Sequence, residues 1–279
     1  HTGIHSFPTR RSSDLLFKTE SPSVLILVSP LGLVPQMDMI INLCKEYDVI
    51  LLEDVCESMG SKFNGEYLGS FGFASFFSMY FGHHLSTIEG GFINTNDEDF
   101  YHLLLMMRSH GWDRDLPKEK QLELRTKYKS DDFDSLYNFY VPGMNLRSTD
   151  LQAFIGLRAI DKLDKYSELR NNNFNKYREL IKYNELDLLV RDTDFVSSFA
   201  IPIVNKNRDL IVKSLINKNV EVRPLIAGNM ANKPMWYLKY GKTHLVNCET
   251  VNQYGFYIPN HQDLKQEDII KISNIINNI

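Results

Sequence analysis

The feature that most constrains the fold is a strand–helix–strand pattern between residues 24 and 52. Residues 24–29 (VLILVS) form a short, nearly continuous apolar run, which is typical of a strand buried on both faces. Residues 35–47 then place apolar side chains at helical spacing behind a proline, and residues 49–52 predict a second buried strand. A βαβ unit of this kind predicts a parallel sheet covered by helices. Ligands of such sheets bind beyond the carboxyl ends of the strands, where Asp54 lies.

Further elements alternate along the chain and predict two domains. Residues 110–140 are polar, charged and aromatic with weak periodicity, which indicates an exposed excursion. The longest helical pattern spans residues 150–181 and carries one apolar stripe, made of Leu151, Phe154, Leu157, Ile160 and Leu163. The other predicted strands and helices cover residues 74–79, 91–94, 97–109, 199–204, 209–218, 220–223 and 266–278. We expect part of a large α/β domain with a mixed or parallel sheet at residues 16–165 and a smaller α+β domain at residues 166–279.

Composition excludes several classes of partner. The 279 residues are 43% hydrophobic and carry a net charge of −4, which argues against nucleic acid or an anionic membrane as partner. No apolar run reaches the roughly 18 residues of a membrane span. The three cysteines (Cys44, Cys56 and Cys248) are widely spaced, so they predict neither a disulfide framework nor a metal site and favour the cytoplasm.

The first fifteen residues, HTGIHSFPTRRSSDL, show no strand or helix period. Their sequence resembles the translated read-through of a sequencing adapter, and it lacks the apolar stretch of a secretory signal. We therefore expect residues 1–15 to be non-native and the natural protein to begin further upstream.

Residues 50–96 concentrate the reactive chemistry of the chain. An apolar run ends in Glu53 and Asp54, glycine-rich turns follow, and two adjacent histidines, His83 and His84, precede Glu89-Gly90-Gly91. An acid at a strand end, hydroxyl groups and an imidazole base within fifty residues predict a cofactor site.

Three patches in this order resemble the DegT/DnrJ/EryC1/StrS family of sugar aminotransferases, over residues 20–279. The first runs from Glu53 to the turn at residues 69–72, and the second from Ser78 to the glycines after Glu89. The third is GMNLRSTDLQA at residues 143–153 and is the most specific. The resemblance implies a fold-type I, aspartate aminotransferase-like α/β protein that uses pyridoxal 5′-phosphate or pyridoxamine 5′-phosphate.

The resemblance also implies roles for three residues of the first two patches. Asp54 matches the acid that pairs with the pyridinium nitrogen, which keeps the ring an electron sink. Glu57 matches a position, often Gln, that contacts the cofactor ring, and Ser78 matches a hydroxyl that binds the phosphate. The alternatives are a solvated strand-end acid for Asp54 and a buried, hydrogen-bonded serine for Ser78.

His83 takes the position of the lysine that ordinary family members link covalently to the cofactor. An imidazole cannot form that link, although it can act as a general base near neutral pH. Ile88 is a second departure, because the family usually has glycine there. His84 is expected to support the site or contact substrate. The alternatives for His83 are a core histidine or an inactive site, and adjacent side chains that diverge argue against a metal pair.

Four later residues complete the predicted site. Asn145 and Arg147 match residues that reach the cofactor phosphate across a homodimer interface, where a guanidinium suits phosphate. Polar groups that cap the next helix, such as Ser148 or Thr149, are the alternative. Arg223 and Asn229 are predicted to line the substrate site.

Histidine in place of lysine resembles one branch of the family, the 3-dehydratases of nucleotide-linked 4-keto-6-deoxyhexoses. The expected substrate is GDP-4-keto-6-deoxymannose, with L-glutamate as amino donor, in dideoxysugar and O-antigen synthesis. Residues 108–142 contain no cysteine, so the [2Fe–2S] cluster of the CDP-sugar 3-dehydrase has no thiolates there. A nucleotide-sugar aminotransferase, a CDP-sugar enzyme and an inactive relative remain the alternatives.

Family members carry a phosphate-binding turn upstream of the pyridinium acid, and residues 16–54 contain no such turn. We therefore predict that the 279-residue chain alone binds pyridoxal phosphate weakly and is unstable. A micromolar dissociation constant in a spectroscopic titration of this chain would contradict the prediction.

Overall fold

A computed structural model describes residues 16–182, 190–191 and 194–279 of the chain, and its first sheet contains the predicted βαβ unit. Strand β1 (Val24–Val28) runs parallel to β2 (Ile50–Asp54), and helix α1 (Met37–Glu46) connects them. The register places Val28 opposite Asp54, so both strands end at the same edge.

The sheet continues on the far side of β2. A short hairpin, β3 (Lys62–Phe63) with β4 (Glu66–Tyr67), precedes β5 (Ala74–Ser78), which lies parallel to β2. Strand β6 (Gly91–Thr95) pairs antiparallel with β5, which gives the order β1-β2-β5-β6 and a mixed sheet. The carboxyl ends of β1, β2 and β5 therefore share one edge.

Four helices follow the first sheet: α2 (Glu98–Met107), α3 (Lys118–Lys127), α4 (Asp150–Ile160) and α5 (Leu163–Leu180). The predicted excursion at residues 110–140 contains α3, which buries none of its residues. The single helical pattern predicted for residues 150–181 is wrong in one respect, since it forms two helices. They bury different amounts of surface, because α4 has no buried residue whereas α5 buries Phe174 and Tyr177.

The second sheet is antiparallel and has the order β7-β9-β8, with β7 (Ala200–Val204), β8 (Arg223–Pro224) and β9 (Gly255–Pro259). The helices of this part are α6 (Arg208–Ile216), α7 (Pro234–Tyr240), α8 (Val246–Tyr254) and α9 (Gln266–Asn277). The chain order mixes strands and helices, as expected for an α+β unit.

One hydrophobic core extends beneath both sheets. It includes Leu51 of the first sheet, Ile203 of the second, Tyr177 of α5 and Ile269 of α9, all buried. Helix α5 therefore belongs to a core shared by both sheets, and the domain boundary at residue 165 stays a prediction. None of the helices in the described ranges is long and apolar enough to cross a membrane.

A close backbone contact joins the first sheet to the segment before β7. Gly32, just after β1, has φ of +86°, and a Cβ atom there would lie 2.5 Å from the carbonyl oxygen of Ser197. Only glycine tolerates both the left-handed backbone and this approach. The contact places residues 197–199 beside the edge where β1 and β2 end.

Candidate active site

The two acids at the end of β2 have different environments. Glu53 is buried, and its carboxylate accepts hydrogen bonds from the backbone N–H groups of Gly69, Phe71 and Gly72 at 2.8, 2.7 and 2.7 Å. These charge-assisted bonds hold the glycine turn before β5. Glu53 is thus a structural residue, and Asp54 is the acid left to face a ligand.

Asp54 and Glu57 lie together beyond the strand end. One Asp54 carboxylate oxygen accepts the backbone N–H of Cys56 at 3.1 Å, and the Glu57 carboxylate accepts the N–H of Leu31 at 2.9 Å. Burial raises the pKa of Glu57, the Leu31 N–H opposes that rise, and the Asp54 charge adds to it. The Asp54 carboxylate is therefore close enough to influence the protonation of Glu57.

Ser78 ends β5 at the same edge, opposite Gly91 of β6. Its hydroxyl oxygen accepts the backbone N–H of Tyr80 at 3.3 Å, and the side chain is half-buried. The hydroxyl hydrogen therefore remains available to an incoming acceptor, as a phosphate-binding role requires.

His83 is half-buried between two aromatic rings. Its imidazole meets the ring of Tyr80 edge-on at 5.8 Å and the ring of Phe199 at 5.4 Å, centroid to centroid. Nδ1 is buried without a hydrogen-bond partner among the described residues. Burial lowers the pKa of His83 and the Asp54 carboxylate raises it, so a neutral imidazole with base character lies beside Asp54.

His84 is buried, and its ring lies 6.3 Å from the ring of Phe199, centroid to centroid. Its Nε2 donates to the carbonyl oxygen of Ser197 at 2.7 Å. Burial, followed by the positive charge of Arg170, lowers the pKa of His84 to about 3, and the Ser197 carbonyl opposes that shift. The surroundings give His84 a supporting role, and a direct contact with substrate remains a prediction that no described contact favours.

The third patch meets the second through one side-chain amide. Thr149 caps helix α4 and forms a capping box with Gln152, whose Nε2 also donates to the carbonyl oxygen of Glu89 at 2.7 Å. Asn145 and Arg147 are exposed, and Arg147 Nε donates to the amide oxygen of Asn145 at 3.2 Å. The cap is Thr149, so neither Asn145 nor Arg147 is needed for that structural task.

Arg223 and Asn229 are placed differently from each other. Arg223 is exposed on β8 and bonds to the Glu221 carboxylate at 2.7 and 3.0 Å. Asn229 is buried, donates to the Glu249 carboxylate at 3.0 Å and accepts the N–H of Ala231 at 3.0 Å. These bonds give Asn229 a structural task, and its predicted position in the substrate site stays a prediction. A substrate contact of Arg223 stays a prediction.

Sequence reasoning missed Phe199, which forms one wall around His83. It lies 116 positions from His83, and no local pattern distinguishes it from a core aromatic residue. The run of apolar residues from 199 to 204 predicted only a strand. The structure begins that strand at Ala200 and leaves the Phe199 ring against the candidate base.

The donor set at the sheet edge fits a pyridine cofactor that carries a phosphate. A carboxylate (Asp54), a hydroxyl (Ser78) and an imidazole with a buried, unpartnered nitrogen (His83) follow the ends of β2 and β5. They offer an anionic partner for a ring nitrogen, a phosphate donor and a base.

Comparison with known proteins identifies the family of the chain. A sequence profile of the DegT/DnrJ/EryC1/StrS aminotransferase family matches residues 18–277. The chain belongs to this family. It is 33% identical over 269 residues to the GDP-4-keto-6-deoxy-D-mannose 3-dehydratase of Yersinia pseudotuberculosis. The alignment covers 92% of this chain and 67% of that relative. The chain therefore spans about two thirds of the relative's length.

Solved structures of family members have the same fold. An Escherichia coli GDP-4-keto-6-deoxy-D-mannose-3-dehydratase with bound hydrated pyridoxal phosphate matches with a TM-score of 0.86 and 31% identity, covering 96% of this chain and 70% of that one. A GDP-4-keto-6-deoxymannose-3-dehydratase with a trapped pyridoxal phosphate–glutamate geminal diamine matches with a TM-score of 0.83 and 30% identity, covering 96% and 71%. The fold is the fold-type I α/β arrangement of pyridoxal phosphate enzymes.

Ile88 gives the turn before Glu89 an unfavourable backbone. Its φ is +75°, in the left-handed region, and its side chain is 63% exposed. A β-branched residue is rarely found there, because its Cβ crowds the backbone. The family's usual glycine at this position avoids that cost.

Ile88→Gly is therefore expected to raise the free energy of unfolding by about 1 kcal/mol, since relief of strain outweighs the greater flexibility of glycine in the unfolded chain. Chemical denaturation measures the change. Ile270→Gly, at an exposed position inside helix α9, is the matched control and should lower stability by about 1 kcal/mol. Equal losses in both variants would contradict the assigned strain.

Asp54→Asn is expected to lower the pKa of His83 further, because the Asp54 carboxylate opposes the effect of burial. An NMR titration of the His83 ring in the cofactor-free protein measures the midpoint. Glu66→Gln, at an exposed acid of β4, should leave the midpoint unchanged. A rise in the Asp54→Asn protein would show that Asp54 does not act on His83 as described.

Proposed function

We propose that the chain is part of a pyridoxamine-phosphate-dependent 3-dehydratase, a lyase that acts on GDP-4-keto-6-deoxymannose. The observation that carries the proposal is His83, a half-buried imidazole beside Asp54 at the place where the family has its covalent lysine. The 3-dehydratase relatives in sequence and structure support the same substrate. The reaction belongs to the synthesis of dideoxysugars for surface polysaccharide.

Each site residue has a distinct task in this proposal. The bound cofactor supplies an electron-poor ring that stabilises negative charge next to it. Asp54 pairs with the ring nitrogen and keeps it protonated, while Ser78 donates to the phosphate. Glu57, whose pKa burial raises, is placed to contact the ring. His83 would accept on its imidazole a proton from the carbon next to the cofactor ring, and the electron pair of the broken C–H bond would expel the hydroxyl at C3 of the sugar.

The lowered pKa of His83 suits this task. A base must be unprotonated before it can act, and burial keeps the imidazole neutral near pH 7. L-glutamate then restores the amino group of the cofactor, in agreement with the glutamate adduct in a related structure. The products are a 3-deoxy sugar, ammonia and 2-oxoglutarate, because the oxidation of glutamate balances the reduction at C3 of the sugar.

We also propose that two copies of the chain associate through α4. The four stripe residues that lie on this helix are all exposed, and Phe154 and Leu157 have 55% and 71% of their surface accessible. A row of large apolar side chains left in water is typical of a protein interface. Asn145 and Arg147 lie just before this helix, exposed, so association gives them access to a neighbouring cofactor phosphate.

The activity is tested with the full-length protein, pyridoxamine phosphate, L-glutamate and GDP-4-keto-6-deoxymannose. We expect ammonia and a 3-deoxy sugar, measured by a coupled assay and mass spectrometry. His83→Gln should reduce the rate by about 100-fold or more, because the base is lost. His244→Gln, at an exposed histidine, is the matched control and should retain the rate.

Two results would contradict the proposal in different ways. An amino sugar formed without ammonia, with a lysine–cofactor adduct after borohydride reduction, would indicate an aminotransferase. Cofactor binding without any half-reaction with glutamate would indicate an inactive relative.

Leu157→Asp is expected to convert the dimer of the full-length protein into a monomer, because a charge in an apolar interface is costly to bury. Sedimentation velocity measures the mass. Leu238→Asp on α7, where the leucine is 79% exposed, is the matched control and should leave the dimer intact. An unchanged mass for Leu157→Asp would refute α4 as the interface.

A further inference from the structure

Residues 197–199 contact both histidines of the candidate site. The carbonyl oxygen of Ser197 accepts the hydrogen bond from His84 Nε2 at 2.7 Å. Two residues later, the ring of Phe199 meets the imidazole of His83 at an interplanar angle of 80°. The position of this short segment therefore affects the hydrogen bond of one histidine and the ring packing of the other.

A buried guanidinium holds the segment from behind. Nη1 of Arg170, on helix α5, donates to the carbonyl oxygens of Ser198, Phe199 and Asn260 at 3.1, 3.3 and 2.6 Å. Nη2 donates to the side-chain oxygen of Gln262 at 3.2 Å. Among the described residues, no carboxylate forms a hydrogen bond or an ion pair with this guanidinium. The cation is thus solvated by carbonyl dipoles, for which a planar set of five donors is well suited.

A second side chain reinforces the same carbonyl groups. Asn260 Nδ2 donates to the carbonyl oxygens of Arg170 at 3.0 Å and of Ser198 at 3.2 Å, and its own amide oxygen accepts from Asn173 Nδ2 at 3.2 Å. The carbonyl of Ser198 therefore has two donors. On the opposite side, Ser197 N–H donates to the hydroxyl of Ser61 at 2.9 Å. The segment is fixed from both sides by buried polar groups, which are costly to leave unpaired.

This arrangement affects the tautomer and the protonation state of the two histidines. His84 uses Nε2–H to reach Ser197, so it is the Nε2–H tautomer. The charges near His84 are Arg170 and His83, both of which oppose its protonation, and burial opposes it most. Near His83 the influential charge is the Asp54 carboxylate, which favours protonation. Burial therefore opposes protonation of both imidazoles, and His83 differs from His84 in having a carboxylate, Asp54, that favours its protonation.

We propose that Arg170 is a positioning residue for the proposed dehydration. It holds residues 197–199 so that His84 keeps its Nε2–H bond to Ser197 and the Phe199 ring stays packed against His83, the proposed base. Arg170 touches neither cofactor nor substrate in this role. The proposal rests on the proposed function for the task of His83, whereas the state of His84 is independent of it.

The first test uses NMR of the full-length protein with 15N-labelled histidine, and His84→Gln assigns the signals. We expect the His84 ring to remain neutral, with its proton on Nε2, from pH 8 down to about pH 5, well above its lowered pKa. A protonated His84 or an Nδ1–H tautomer in this range would overturn the proposal. This measurement needs no activity, so it stands even if the enzyme has another substrate.

The second test compares Arg170→Gln with Lys176→Gln, a surface control on the same helix whose lysine pairs with Glu179. In the folded Arg170→Gln protein we expect a mixture of His84 tautomers and a kcat for ammonia release lowered about tenfold or more, since small displacements of a base are costly. KM for the sugar should change less than about threefold, because the binding groups are untouched.

Two results would overturn the proposal: an Arg170→Gln protein with an unchanged His84 spectrum, or an Arg170→Gln protein in which KM rises while kcat stays unchanged. If Arg170→Gln does not fold, the proposal is tested by the His84 spectrum of the wild-type protein and by the kcat of Phe199→Leu. Phe199→Leu keeps Arg170 and the backbone hydrogen bonds, so His84 should remain the Nε2–H tautomer. It removes the aromatic ring that packs against His83, so kcat should fall. An undiminished kcat in Phe199→Leu would show that the segment does not seat His83.

Discussion

The candidate site depends on a carboxylate that is buried for structural reasons. Glu53 lies inside the first sheet, where an unpaired negative charge would be very costly, and three backbone N–H groups of the following turn satisfy it. Those bonds tie the start of β5 to the end of β2. Because β5 begins at a fixed place, Ser78 ends at a fixed place, and the loop that carries both histidines starts from there.

The sequence predicted the elements that have a regular apolar period. Strands β1, β2, β5 and β6 and helix α1 lie within two residues of the predicted bounds, because buried strands and amphipathic helices leave a periodic signal. Helix α3 was not predicted, since it buries no side chain and so has no apolar face. The break between α4 and α5 was missed because the stripe of α4 continues in phase to Leu163, with no glycine or proline to mark the junction.

The site residues divide in a similar way. Asp54, Ser78 and His83 lie within 30 residues of each other, and the family resemblance of this stretch predicted their roles; Asp54 and Ser78 each end a strand, and His83 follows one. Phe199, Arg170 and Asn260 could not be predicted in this way, because their contacts join segments far apart in the chain. Asn229 was assigned to the substrate site from its motif, and in the structure its amide donates to Glu249 and accepts from Ala231. A motif locates a residue along the chain, but only the fold shows which of its polar atoms remain free.

The contact between Gly32 and Ser197 has a consequence for how this protein can vary. Any side chain at position 32 would displace the Ser197 carbonyl that accepts the hydrogen bond from His84. The Phe199 ring that packs against His83 would move with it. Gly32 has no reactive atom and lies outside every motif that marks the site. In a library of random substitutions, it should nevertheless be as intolerant of change as the reactive residues themselves, because a missing methyl group is what leaves room for the segment that supports the base.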